Sequence, residues 1–358
     1  MGLPEILIEF KAKAETAIRR SENGIVAVIL ADDTLTGSEN LSYVYSTAAD
    51  NGISSQWSDT NLRYLNLVFK SNPKKVLVER IATTSDYDDA LTRLRHKKWN
   101  WLTVPGLKNA DDVQTIQDWI IAERSAKKTF KAVLPCTAVD LAPNNEGIVD
   151  FATENIKSDG YTFTSYEYCA RIAGLLSSLP MTESATYHVL DDAVSITESL
   201  TPDADIDAGK FILINDGEKI KVGRGINSLH ILSGNKTEDM KKIKIIEGMD
   251  LMRDDIRDSF EENYISVNNS YDNKMLFVSA VNQYFDGLVR QGVLYSEYDN
   301  SADIDLTAQR DWLAQKYDVS EYSDDQIRKA KTGSYVFVNA SVQFSDAIED
   351  LHFAINME

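Results

Sequence analysis

Two patterns of hydrophobic residues alternate along the first two hundred positions of the chain. Continuous apolar runs such as NGIVAVIL (23–30) and KKVLVERI (74–81) are typical of strands buried on both faces. Between them, TNLRYLNLVFKS (60–71) has apolar residues three or four positions apart, which predicts an amphipathic helix. Strands that alternate with helices of this length indicate right-handed βαβ units. The first domain is therefore predicted to be α/β with a largely parallel sheet.

The same alternation continues to about residue 180. Helices are predicted over SDYDDALTRLRHKK and NADDVQTIQDWIIAERSAKK, with Ser85 and Asn109 as their N-terminal caps, and over TSYEYCARIAGLLSSLP, which Pro180 ends. The segments WNWLTVP, FKAVLP and GIVDFATENI each read as one strand. The acidic segment DDAVSITESLTPDADID (191–207) reads as a solvated loop.

The pattern changes near residue 200. Asn215-Asp216-Gly217 between two strand-like runs is a β-hairpin signal. Two long amphipathic helices are predicted over 237–265 and 273–294, and a short helix over 323–331. The second domain is therefore predicted to be α+β. The predicted division is an N-terminal arm (1–20), an α/β domain (21–232), a C-terminal α+β domain (233–345) and a C-terminal arm (346–358).

Both ends of the chain alternate apolar and polar residues with a period of two. At the N-terminus the apolar face contains Ile6, Ile8 and Phe10, although Leu7, Phe10, Ala14 and Ala17 would also share one helical face. Near the C-terminus the two strand-like runs have opposite parity, and their apolar positions include Val336, Val338 and Val342 in the first run and Leu351, Phe353 and Ile355 in the second. Both ends therefore look like strands that have no local partner.

Composition and charge narrow the function classes. The 358 residues are 43% hydrophobic, as expected of a globular protein long enough for two domains. The formal charge of −19 opposes binding to nucleic acid. We find no apolar run long enough to cross a bilayer and no signal-peptide layout, so a cytosolic product without membrane insertion is expected. Cys136 and Cys169 lack metal-site or redox spacing and are expected to be buried, reduced thiols.

A search for catalytic chemistry finds no convincing motif. A parallel sheet invites a nucleotide at its strand ends, but the loops after VAVIL and VLVERI lack the glycines that let a backbone approach phosphate. SGNKT (233–237) has only the tail of a P-loop. The four histidines lie outside any recognisable triad or zinc motif. No cofactor, metal or catalytic residue is predicted, and an α/β enzyme that binds a small ligand remains the alternative.

The order of parts resembles the sheath proteins of contractile phage tails and of phage-tail-like bacteriocins, in their short form from Gram-positive hosts. The resemblance rests on the N-terminal segment MGLPEILIEFKAKAETAIRR, the Arg-Gly-Ile-Asn motif at 224–227, and the terminal stretch GSYVFVNASVQFSDAIEDLHFAINM. It implies a structural subunit, not an enzyme, with a subtilisin-like first domain, although no catalytic triad is recognisable here. A sheath-like subunit of another contractile secretion apparatus is a further alternative.

The resemblance also implies partners. Terminal arms would donate strands to neighbouring copies, with Val336, Val338 and Val342 on the accepting strand, hinges at 19–23 and 345–350, and a helical homopolymer as the product. That polymer would surround an inner tail tube, end at baseplate and tail terminator proteins, assemble in the bacterial host cytoplasm and then form the tail of a virion or released particle. The basic residues Arg328, Lys329 and Lys331 are the candidate tube-facing residues.

Overall fold

The described residues form two compact units. The computed structural model describes residues 24–35, 41–50, 53–136 and 143–357. We call residues 24–247 together with 347–357 the α/β unit, and residues 248–346 the C-terminal unit. The division therefore lies at 247/248, whereas the predicted boundary lies at 232/233. The predicted N-terminal arm, with Ile6, Ile8 and Phe10, lies outside the described residues.

The α/β unit is built on a seven-stranded sheet within the described residues. From one edge to the other the strand order is β10-β6-β5-β4-β1-β3-β2, and every pair is parallel except β3 with β2. This confirms the prediction of an α/β fold with a largely parallel sheet. The strands of the unit are β1 Ile25–Ala31, β2 Ser42–Tyr45, β3 Lys75–Ile81, β4 Trp101–Thr103, β5 Lys131–Pro135, β6 Ile148–Phe151, β7 Glu154–Ser158, β8 Tyr161–Phe163, β9 Ala193–Thr197, β10 Lys210–Phe211, β11 Leu213–Asn215 and β12 Ile220–Val222.

Helices cover both faces of this sheet. Val26, Val28 and Leu30 of β1 join one apolar cluster, which contains side chains of α2 and α5. Ala27 and Ile29 face a second cluster, which contains side chains of α3 and α4. Successive strand residues point to opposite faces, so a strand covered on both sides must be apolar throughout. The helices of the unit are α1 Ile53–Gln56, α2 Asp59–Phe69, α3 Asp88–Arg95, α4 Ala110–Ser125, α5 Ser165–Ser178 and α6 Pro202–Asp207, followed by a 3₁₀ turn at Glu238–Lys241.

Two small antiparallel sheets complete the α/β unit. The hairpin β11–β12 confirms the turn prediction, and Gly217 there has a φ of 95°. The other sheet, β8-β7-β9, contradicts two expectations. The segment GIVDFATENI is two strands, because the chain leaves the main sheet after β6 and Thr153 accepts a hydrogen bond from the Leu213 amide. The acidic segment 191–207 is not a loop throughout, since it contains β9 and α6. Strand β9 pairs with β7 at the edge of the small sheet, where a strand needs only modest burial.

One of the two predicted helix caps is confirmed. Asn109 Oδ1 accepts a hydrogen bond from the Asp112 amide at 2.9 Å and begins α4. The prediction for Ser85 is wrong, because α3 begins at Asp88 and follows Tyr87, which makes no side-chain cap. The Tyr87 ring is buried and belongs to the apolar cluster on that face of the sheet. The first amide of the helix, that of Asp88, donates to Asp86 Oδ1 at 3.3 Å instead of to Ser85.

The C-terminal unit combines four helices with a two-stranded antiparallel ribbon. The ring of Phe277 packs edge to face against those of Phe260 and Tyr264, with centroids 5.1 Å and 4.9 Å apart, and so joins the two long helices. The fully buried Gln309 donates to the Ile327 carbonyl and joins the two short helices. The elements are α7 Ile243–Asn263, which begins in the α/β unit, α8 Tyr271–Arg290, β13 Ser301–Ile304, α9 Leu306–Ala314, α10 Asp324–Lys329 and β14 Val338–Ser341.

Close packing between α2 and α5 predicts an effect of a single methyl group. A Cβ on Gly174 would lie 2.2 Å from the Val68 carbonyl oxygen, so Gly174→Ala must push the helices apart. We expect this overpacking to lower the free energy of unfolding by about 1–3 kcal/mol, measured by chemical denaturation. Gly106→Ala is the control, since no atom lies within 4 Å of its Cβ position. Equal stability of the two variants would contradict the close approach.

Candidate assembly surface

The carboxyl ends of the parallel strands are the first place where a ligand site was expected. After β1, Asp32 accepts hydrogen bonds from the amides of Thr34 and Ser58 and from Asn61 Nδ2 at 2.7–2.8 Å. Burial alone would raise the pKa of Asp32, but these hydrogen bonds outweigh burial and hold the pKa well below its usual range. The carboxylate is thus committed to fixing the start of α2.

A second cluster of reactive side chains lies at the ends of β5 and β6. Asp150 is 2% exposed, and burial raises its pKa to about 6 against the opposing effects of Cys136, Lys210 and His230. Burial also raises the pKa of the Cys136 thiol to about 12, so the group is protonated at neutral pH and is a poor nucleophile. The cluster therefore lacks the activated cysteine that covalent catalysis needs.

The described residues contain neither a cluster suited to a metal ion nor a helix suited to a membrane. That part of the chain holds no group of three or more His, Cys, Asp or Glu side chains placed to bind a metal ion. None of the helices in the described ranges is long and apolar enough to cross a bilayer.

The most unusual surface is the C-terminal tail, residues 351–357. Its alternating apolar side chains Leu351, Phe353, Ile355 and Met357 are 83%, 75%, 72% and 91% exposed. The tail pairs with no strand of the described residues. Full burial of such side chains is worth about 1.5–3 kcal/mol each. The predicted residues Leu351, Phe353 and Ile355 are therefore available to a partner.

The tail begins directly after an anchored acidic pair. Glu349 Oε1 accepts hydrogen bonds from the hydroxyls of Ser184 at 2.7 Å and Thr186 at 2.6 Å. Glu349 Oε2 lies 3.4 Å from Arg224 Nε, and Arg224 Nη2 donates to Asp350 Oδ2 at 2.5 Å. The Glu349 side chain is only 7% exposed. All five residues belong to the α/β unit, which thus holds the base of the tail.

The predicted accepting residues lie on and around β14 in the C-terminal unit. Val338 begins this strand and pairs with Ile304 of β13, whereas Val336 precedes it and Val342 follows it. The second edge of β14 has no neighbouring strand among the described residues. Val336 also lines a cavity of about 350 Å³ between α7 and α8, together with Phe260 and Phe277. An open strand edge and an apolar cavity therefore lie near each other in this unit.

The predicted basic helix is α10. Arg328 Nη1 lies 2.5 Å from Asp303 Oδ1, and Lys329 Nζ lies 2.9 Å from Asp325 Oδ2. Lys331 follows the helix and is exposed, with no ion pair among the described residues. Two of the three cations thus already have acidic neighbours in their own unit, which reduces the positive field of this patch.

Sequence reasoning missed the residues that anchor the tail. It singled out the Arg-Gly-Ile-Asn motif without a role, and it placed a hinge at 345–350. In the structure, Ser345 N donates to the Val293 carbonyl of the C-terminal unit, and Glu349 is bound within the α/β unit. The predicted hinge segment therefore has a contact near each of its ends. The signal in the sequence was the acidic pair Glu349-Asp350, which lies between two alternating apolar runs. A carboxylate that becomes buried beside such runs needs a cation or hydrogen-bond donors from elsewhere in the fold.

Comparison with known proteins identifies the family. Residues 81–228 match the model of the phage tail sheath protein central domain, and residues 235–358 match that of the phage tail sheath C-terminal domain. The tail sheath protein of Clostridium phage phiCD119 is 34% identical over 369 aligned positions, which cover 99% of both chains. The chain belongs to the phage tail sheath family.

Solved structures of sheath proteins share the fold. The sheath tail protein Lin1278 from Listeria innocua superposes with a TM-score of 0.71 at 15% identity, covering 95% of this chain and 99% of that one. The contracted helical sheath of the anti-feeding prophage gives a TM-score of 0.70 at 11% identity and 94% coverage of each. Members of the tail sheath family are structural proteins, so this chain is a structural sheath subunit, and the enzyme alternative has no support.

The buried carboxyl of Asp150 predicts a pH dependence of stability. Its pKa of about 6 in the folded protein exceeds the ordinary value of 3.8, so its contribution is greatest below pH 4 and is lost as the pH rises through 6. Relative to the parent, Asp150→Asn should gain about 2–3 kcal/mol of unfolding free energy between pH 4 and pH 7, measured by urea denaturation.

Asp191→Asn is the matched control, because Asp191 is exposed. Its stability difference from the parent should stay nearly constant over the same pH range. A constant difference for Asp150→Asn as well would show that the Asp150 carboxyl does not carry this pH dependence.

Proposed function

We propose that this sheath subunit polymerises helically around an inner tube by donating its terminal strands to neighbouring copies, and that the polymer contracts to drive the tube through a target envelope. The observation that carries the proposal is the C-terminal tail, with apolar side chains in strand alternation and no partner strand among the described residues. Such a segment is a donor for β-augmentation, in which main-chain hydrogen bonds hold a strand and alternate side chains fix its register.

The accepting site in this proposal is β14 of a second copy. Its unpaired edge supplies main-chain donors and acceptors, and Val336, Val338 and Val342 mark the same stretch of chain. Burial of four tail side chains gives about 6–12 kcal/mol before the costs of association are subtracted. Donor and acceptor are different surfaces of one chain, so the contact is heterologous and generates an open helix.

The relatives support a contractile machine and its further partners. Two solved neighbours are described as contracted sheaths, of the anti-feeding prophage and of an extracellular contractile injection system, and another as the anti-feeding prophage baseplate. We extend to this chain a baseplate, an inner tube and a tail terminator as partners. Assembly in the bacterial host cytoplasm, followed by incorporation into a phage tail, a bacteriocin-like particle or another contractile apparatus, completes the proposal.

The proposal also covers the terminal arms, the fold of the α/β unit and the residues that contact the tube. Residues 1–20 and 346–358 act as arms, with Ile6, Ile8 and Phe10 as the apolar face of the first arm. The α/β unit is subtilisin-like in fold, which its parallel sheet covered by helices on both faces supports. Arg328, Lys329 and Lys331 contact the tube, and their ion pairs with exposed carboxylates are weak enough to exchange for tube contacts.

Replacing the apolar face of the tail should abolish assembly. The triple substitution Leu351→Ser, Phe353→Ser, Ile355→Ser removes the side chains that a neighbour would bury, and their exposure in the subunit means that folding is unaffected. We expect particles of subunit size in size-exclusion chromatography and no tubes in negative-stain microscopy.

The matched control replaces the three intervening residues, with His352→Ser, Ala354→Ser and Asn356→Ser, and should still form tubes. Tubes formed equally well by both triple variants would contradict strand donation by this tail. Absence of tubes from the parent at every concentration, without and with purified inner tube, would contradict the sheath polymer itself.

Deletion of residues 1–20 should leave a folded, soluble subunit that cannot polymerise, because an arm contributes to the neighbour and not to its own core. Circular dichroism and thermal unfolding measure the fold, and negative-stain microscopy measures assembly. Loss of folding on this deletion would assign the segment to the core of its own subunit instead.

A further inference from the structure

The anchored base of the tail gives the Arg-Gly-Ile-Asn motif a role. Ser184, Thr186 and Arg224 form a cleft on the α/β unit, and every oxygen of the Glu349 carboxylate has a donor within it. We propose that this cleft is a clasp, a binding site for the acidic pair Glu349-Asp350 of the chain's own tail. By holding these two residues, the clasp sets the point from which the donor strand leaves the subunit. This inference rests on the proposed strand donation.

The clasp is built on main-chain contacts that fix its parts. The Tyr187 amide donates to the Val222 carbonyl at 2.9 Å, which places the 184–186 loop beside the strand that precedes Arg224. The Gly225 amide donates to Thr186 Oγ1 at 2.9 Å, and a Cβ on Gly225 would lie 3.0 Å from Ser184 Oγ. Glycine therefore allows the motif to approach the two hydroxyls closely.

Asn227, the last residue of the motif, fixes the backbone on the C-terminal side of Arg224. Asn227 Nδ2 donates to the Met240 carbonyl at 2.7 Å, and the Asn227 amide donates to the Lys241 carbonyl at 2.8 Å. The Ile243 amide donates to the Gly225 carbonyl at 3.0 Å. Arg224 thus projects from a loop whose backbone is fixed on both sides, which lowers the entropy cost of binding the tail.

The chemistry of the cleft suits a carboxylate. Two hydroxyl donors meet one oxygen, and a guanidinium, which is permanently charged, lies beside the other. Asp350 adds a second contact to the same guanidinium at 2.5 Å but is mostly exposed, so Glu349 is the principal anchor. Leu351, the first apolar residue of the tail, directly follows Asp350 in the chain. The position of the anchored pair therefore restricts where the donor strand can begin.

Hydrogen exchange of the full-length subunit, measured by mass spectrometry below the concentration of assembly, tests the clasp. Arg224→Ala and Glu349→Ala should each speed exchange of the Thr186 amide, read in peptides that cover 184–190, by about tenfold, because this amide donates to the Ser184 hydroxyl that binds Glu349. The double variant should exchange no faster than the single variants, because both break the same contact. Peptides from the central sheet should be unchanged.

Arg310→Ala is the matched control. Arg310 has the same 35% side-chain exposure as Arg224 and pairs with Asp324 at 2.7 Å, but it does not contact the tail. It should leave exchange in 184–190 unchanged. Equal exchange of these peptides in the parent and in Arg224→Ala would overturn the clasp, and so would an additive effect in the double variant.

The role in assembly is measured separately. If the clasp positions the donor strand, Arg224→Ala should raise the protein concentration needed for tube formation, whereas Arg310→Ala should not. Unchanged assembly together with faster exchange in 184–190 would overturn the positioning role. Failure of the serine variants of the tail to affect assembly would instead overturn strand donation while leaving the exchange result for the clasp intact.

Discussion

The C-terminal tail exposes an apolar face in strand alternation, and no strand of the described residues pairs with it. The central sheet and the C-terminal ribbon differ in whether they leave a strand edge that could cover this face. The central sheet is closed by helices on both faces, and its edge strand β2 is antiparallel and short, so it offers little to a partner. The second edge of β14, which has no neighbouring strand among the described residues, belongs to the C-terminal unit. In the proposed polymer, the tail of one copy would be the donor and this edge of the next copy the acceptor, which makes the contact head to tail.

Much of the fold could be predicted from the sequence because buried parallel strands leave a strong signal. In β1, Val26, Val28 and Leu30 pack into one apolar cluster and Ala27 and Ile29 into the other, so the continuous run of apolar residues is a direct consequence of burial on two faces. Helices α2, α4 and α5 followed from the spacing of their apolar residues, and α4 also from its cap Asn109. The elements that were missed are short or lie at edges, such as β9, where one-sided burial leaves only a faint alternation.

The candidate site was predictable only in part. Alternation indicated that Leu351, Phe353 and Ile355 share a face, and their exposure agrees with an unpartnered strand. The residues that hold the base of the tail could not be found in this way, because Ser184, Thr186 and Arg224 come together with Glu349 only through the tertiary fold. Hydroxyl groups in loops carry no periodic signal, and the motif that contains Arg224 does not show by itself which carboxylate the arginine meets.

The division of the chain into two units has a topological consequence. Among the described residues, the chain passes from the α/β unit to the C-terminal unit at 247/248 and returns at 346/347, so residues 248–346 lie between two segments of the α/β unit. A protease that cuts at 247/248 divides the polypeptide into two fragments, and residues 347–357 then belong to the fragment that carries the C-terminal unit. The contacts of Glu349 with Ser184, Thr186 and Arg224 would then link the two fragments without a covalent bond.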